Sequence, residues 1–117
     1  MSLRTLLLLL LPCCLATPVL AKQPHVVMLI AEREYDTDQT LPKFAEQHLK
    51  DGFRTTFVYA TEDDKNTLAG IEAVKDADVL LISVRRRALP KSQLDLIRNY
   101  VASGKPVIGI RTANHAF

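Results

Sequence analysis

Apolar runs and amphipathic stretches take turns along this chain from His25 onward, and that alternation leaves few folds open. His25–Ala31 (HVVMLIA) is a continuous apolar run, as expected of a strand buried on both faces. Residues 40–50 bring apolar groups back at helical spacing: Thr40 sits at a capping position, Leu41, Phe44, Ala45, His48 and Leu49 share one face, and Gly52 stops the run. Residues 53–60 read as a second strand and residues 61–66 as an acidic loop. Thr67 opens a short helix that turns Leu68, Ile71 and Val74 inward. Val79–Val84 is the third strand, after Asp78, and Pro90 starts the next helix, with Leu94, Ile97 and Val101 as its stripe and Gly104 as its end. Lys105 leads into a fourth strand. The order β-α-β-α-β-α-β with short loops predicts an α/β domain: a parallel sheet covered by helices on both faces.

The first 21 residues stand apart from that pattern. Arg4 gives a basic start, residues 6–11 an unbroken leucine core, and Val19, Leu20 and Ala21 a small-residue cleavage pattern before Lys22, the layout of a secretory signal peptide. The apolar stretch is short for a membrane span and is interrupted by Pro12 and Pro18. Export to the periplasm or the extracellular space is therefore expected, with no membrane attachment after cleavage. Lipidation at Cys14 is disfavoured, because the acylated cysteine of a lipoprotein follows a small residue and Cys14 follows Cys13. Removing 21 of the 117 residues leaves 96 and takes both cysteines away, so neither disulfides, thiol nucleophiles nor thiolate metal sites are expected in the mature domain. Without Arg4, 14 Lys and Arg face 13 Asp and Glu, a net charge of +1 that gives no support to binding nucleic acid.

Chemistry is best sought beyond the carboxyl ends of the strands, where open parallel sheets gather their ligands. Four segments fall there: residues 32–38, 61–64, 85–87 and 111–115. The last is the sharpest. Small residues stand two before and two after Arg111 (Gly109 and Ala113), a spacing that fits a sharp strand-to-helix elbow in which flanking bulk would clash. Such an elbow presents its apex to the crevice, and here the apex is an arginine, which cannot be a nucleophile. Arg111 is thus a candidate to hold carboxylate, phosphate or vicinal hydroxyls through its paired N–H donors. His115, one turn on, is the candidate general acid or base. Of Arg85, Arg86 and Arg87, at most two can face one pocket. The acidic loop of Glu32, Glu34, Asp36 and Asp38 lacks the central glycine of a calcium loop, and no HExxH, phosphate-loop or dinucleotide glycine pattern is present, so no metal or cofactor is expected.

The run from Ile82 to Pro90 (ISVRRRALP), the ending from Gly104 to Phe117 (GKPVIGIRTANHAF), and the first loop with Thr40, Leu41 and Pro42 resemble the ThuA-like, or trehalose-utilisation, family. The resemblance covers residues 24–117. It implies a flavodoxin-like three-layer sandwich related to class I glutamine amidotransferases, with residues 22–117 forming the N-terminal half of a longer domain. It puts Arg111 on the position of the amidotransferase cysteine, so glutaminase activity is not expected, and it implies a link to sugar metabolism. The resulting expectation is a domain that binds a carbohydrate or related polyol. Arg111 holds the ligand, Tyr35 and Glu32 close the pocket from the first loop, Arg85 reaches it from the third, and His115 is the residue for catalysis if a reaction occurs. Two alternatives stay open: a non-catalytic binding or interaction module, and a truncated inactive product.

Overall fold

A computed structural model describes residues 20–117. The predicted leader, apart from Leu20 and Ala21, lies outside the described residues, as do Cys13 and Cys14. Four strands, β1 (His25–Ala31), β2 (Arg54–Tyr59), β3 (Val79–Val84) and β4 (Val107–Gly109), form one all-parallel sheet in the order β2-β1-β3-β4. Helix α1 (Thr37–Phe44) joins β1 to β2, and α2 (Lys91–Ala102) joins β3 to β4. This is a flavodoxin-like α/β arrangement. The chain leaves β1 for β2 on one side and returns to β3 on the other, which creates a topological switch point between β1 and β3.

β1 is buried at every position because it has a strand on each side and packing on each face. One face carries Val26, Met28 and Ile30 against Leu41 and Ala45 of α1 and its continuation. The other carries Val27, Leu29 and Ala31 against Leu68, Ile71 and Val74, and against Ile97 and Tyr100 of α2. The alternation of inward residues is the period-two signature of a strand, used here on both faces at once. At its amino end the His25 N–H donates to the Asp78 carboxylate at 2.8 Å, and the buried imidazole reaches the Asp76 carbonyl and the Thr56 hydroxyl.

Three elements depart from the sequence expectations. Helix α1 starts at Thr37, not Thr40, because Asp36 adopts a left-handed conformation (φ 49°) and its carbonyl accepts from the Gln39 and Thr40 N–H groups. Pro42, inside α1, has no N–H to donate, and the helix continues as a π-helical stretch, Ala45–Leu49. Phe44 and His48, expected on the inward face, instead lie outside and pack against each other with ring planes tilted by 43° and centroids 5.1 Å apart. The second connection is not an α-helix. Leu68 pairs with Ala60 in an antiparallel bridge, Gly70 turns the chain at φ 78°, and the six residues Ile71–Asp76 form a 3-10 turn before Asp78. Leu68, Ile71 and Val74 are nonetheless buried as expected. In α2, Tyr100 replaces Val101 on the inward stripe: Val101 is exposed, while the Tyr100 hydroxyl donates to the Pro106 carbonyl at 2.9 Å.

Among the described residues, no helix is long and apolar enough to cross a membrane.

Candidate functional site

The loop after β1 is built around Glu32. This carboxylate is buried, and both of its oxygens are taken: Oε2 accepts from the Glu34 and Tyr35 N–H groups at 2.7 and 3.0 Å, and Oε1 from the Thr37 N–H and hydroxyl at 3.1 and 2.5 Å. The Ser83 hydroxyl of β3 donates to the Thr37 hydroxyl at 2.9 Å, extending the chain of bonds to the next strand. A negative charge here also faces the amino end of α1, where the helix dipole favours it. Glu32 therefore stands at the crevice, as expected, but its lone pairs tie the loop and start the helix rather than meet a ligand. For a carboxylate directly after the apolar run, nothing in the sequence distinguishes such a tie from a free side chain.

Held in this way, the first loop leans over the end of β3 toward β4. Glu34 forms an ion pair with Arg85, and the guanidinium of Arg111 lies over the Tyr35 ring, 3.9 Å from its centroid. The structure thus brings two predicted site residues, Tyr35 and Arg111, into direct contact. It also occupies Arg85 with an acidic partner. A cation over an exposed ring contributes about 0.5–1 kcal/mol, enough to orient the guanidinium without fixing it.

The elbow at the end of β4 has the predicted sterics. Arg111 is left-handed at φ 54°, and a Cβ on Gly109 would lie 3.0 Å from the Cβ of Ala113. Where the sequence predicts a helix, the chain enters a 3-10 turn, Arg111–His115, closed by bonds from the Ala113 and Ala116 N–H groups to the carbonyls three residues before them, Ile110 and Ala113. His115 is exposed on that turn, and its only side-chain neighbour at hydrogen-bond range among the described residues is the Asn114 amide at 3.5 Å. Its carbonyl has a different job: it accepts the Arg86 N–H at 2.7 Å, while the Ala116 carbonyl accepts the Arg87 N–H at 2.8 Å. The arginine loop is therefore fastened to the last turn by its backbone.

Two open clefts lie at this end of the sheet. The larger, about 410 Å³, opens between the ends of β1 and β2 and includes Arg33, Asp38, Tyr59, Glu62, Lys65 and Arg87 in its lining. The smaller, about 270 Å³, sits over the switch point between β1 and β3 and is lined by Glu32, Arg33, Glu34 and all three arginines 85–87, not the two at most expected of one pocket, because the left-handed backbone of Arg86 (φ 49°) breaks the alternation of side-chain direction along the loop. Burial, and then the charge of Asp38, raise the pKa of the Tyr59 hydroxyl above its ordinary value. Arg111, Tyr35 and His115 line neither cleft, so the predicted residues divide into a stacked pair near β4 and an arginine-rich wall near β1. Local sequence patterns do not single out Arg33, Arg87 or Lys65, because the strand order that gathers them is not visible in any one segment. Among the described residues no group of three or more His, Cys, Asp and Glu side chains could hold a metal.

No family model, curated protein or solved structure matches the chain.

Proposed function

We propose that the chain is an exported, ThuA-like ligand-binding domain whose carboxyl-end crevice takes a carbohydrate or related polyol, without glutaminase activity. One observation carries the reading. Among the described residues, the non-glycine residues with left-handed backbones, Asp36, Arg86 and Arg111, all lie in loops beyond the carboxyl ends of β1, β3 and β4. Each such residue costs on the order of 1–3 kcal/mol, and strain of this kind gathers at ligand sites. Arg111, stacked on Tyr35, presents a planar fork of donors suited to vicinal hydroxyls. Arg111→Ala is expected to weaken binding of a panel of neutral sugars at least tenfold in titration calorimetry, and Arg111→Lys to restore only a part, since lysine keeps the charge but not the fork. Equal affinities for Arg111→Ala and the parent chain would remove this role.

The exposed setting of His115, beside an amide and not a carboxylate, favours binding without turnover over catalysis. A general base is ordinarily oriented by a third group, and none of that kind touches this imidazole among the described residues. Product formation that is lost in His115→Ala would reverse that preference.

A further inference from the structure

The two clefts share a wall. Glu32, Arg33 and Arg87 line both of them. Glu32 is neutralised as an acceptor by the four loop donors on its oxygens, so the wall's available chemistry is that of two guanidinium groups. Neither Arg33 nor Arg87 forms an ion pair among the described residues, in contrast to Arg85, which Glu34 occupies. The Nε of Arg87 is buried and has no acceptor among the described residues. A buried donor without an acceptor is costly, on the order of the hydrogen bond it lacks, and more so on a charged group. An acceptor delivered by a ligand removes that cost.

The charges around the wall say what kind of acceptor. The smaller cleft holds four arginines, 33, 85, 86 and 87, against Glu32 and Glu34, an excess of two positive charges. The larger balances Arg33, Lys65 and Arg87 against Glu32, Asp38 and Glu62, and adds Gln39, Tyr59 and Thr61. Its volume, about 410 Å³, is that of a small-molecule site. Asp38 and Glu62 take part in no ion pair among the described residues and are available as hydroxyl acceptors.

Resting on the reading of a polyol ligand but not on Arg111, which lines neither cleft, we infer that the shared wall seats an oxyanion, so that the ligand is an acidic or phosphorylated sugar. Its carboxylate or phosphate lies between Arg33 and Arg87, where paired N–H donors match its geometry, and its hydroxyls lie in the larger cleft against Asp38, Glu62 and Thr61. Phosphate and carboxylate share this chemistry and are separated by the test.

The experiment is titration calorimetry of the full chain with glucose, glucuronate, glucose 6-phosphate and inorganic phosphate at low ionic strength, repeated with Arg33→Gln and Arg87→Gln. At least one acidic sugar is expected to bind tenfold or more tightly than glucose, and each variant to cut that ratio at least fivefold. The tighter of glucuronate and glucose 6-phosphate identifies the anion. Arg33 is exposed, so Arg33→Gln decides the matter if Arg87→Gln does not fold. Equal affinity for glucose and both acidic sugars overturns the oxyanion seat and leaves the polyol reading standing. Phosphate binding that depends on Arg33, with no affinity for any sugar, upholds the seat and overturns the polyol reading. Silence from all four probes overturns both.

Discussion

Gly109 and Ala113 show how a pair of small residues can define a site without touching a ligand. With 3.0 Å between a hypothetical Cβ at 109 and the real one at 113, Gly109→Ala makes a contact tighter than most between packed methyl groups, so the turn must shift by a few tenths of an ångström. Its expected cost is about 1–2 kcal/mol in chemical denaturation, an overpacking effect. Adding Ala113→Gly removes the opposing methyl, so the double variant should recover part of that loss. Simple additivity of the two single effects would show that the contact is not the cause. This relation was legible in the sequence because it is short-range: two small residues four apart at the end of an apolar run. The role of Glu32 was not legible, because it depends on four donors that converge only when residues 33–37 have turned back on the strand. The sequence shows a carboxylate at the crevice, but the fold decides that its oxygens face inward.

Elements were legible in proportion to their burial. β1 and β3 run as continuous apolar segments because both faces are covered, and α2 falls between Pro90 and Gly104 as its punctuation requires. The stretch after Thr67 misled for a physical reason. Spacing of Leu68, Ile71 and Val74 satisfies a helix, yet Gly70 takes a left-handed turn between the first two, and what remains before Asp78 is too short for more than a 3-10 turn. Asp78 itself links two elements, since its carboxylate accepts the first N–H of β1. That bond, opposed by some desolvation and aided by the charges of Lys105, Lys22 and His25, holds the Asp78 pKa below its ordinary value. A carboxyl depressed in the folded state stabilises the fold at pH above its unfolded pKa, near ~3.9, and that contribution fades as pH falls through the lower folded value. Asp78→Asn is accordingly expected to lower the urea midpoint at neutral pH, with the gap from the parent chain closing in acid. A gap that persists unchanged to the lowest pH at which the parent is folded would assign the effect to packing instead of charge.

Across the whole molecule, stability is distributed from the centre of the sheet outward. β1 is hydrogen-bonded on both edges and buried throughout, whereas β4 has three residues, one neighbour and exposed side chains, with Val107 at 42% and Ile108 at 46%. Native-state hydrogen exchange should therefore be slowest in β1 and β3 and much faster in β4, because local opening follows burial and contact density. Protection of β4 amides equal to those of β1 would contradict this gradient. The same scale explains why the clefts were not legible in the sequence. Arg33 and Arg87 are more than fifty residues apart and line the same clefts only because the sheet order sets β1 beside β3. A pattern read along the chain gives the strands, but the neighbours of a strand are a property of the assembled sheet.

The backbone bonds from Arg86 and Arg87 to the carbonyls of His115 and Ala116 give the arginine loop a handle at the far end of the chain. A displacement of the last turn is therefore passed by two backbone bonds to the loop that lines the smaller cleft, so that turn and loop move as one lever.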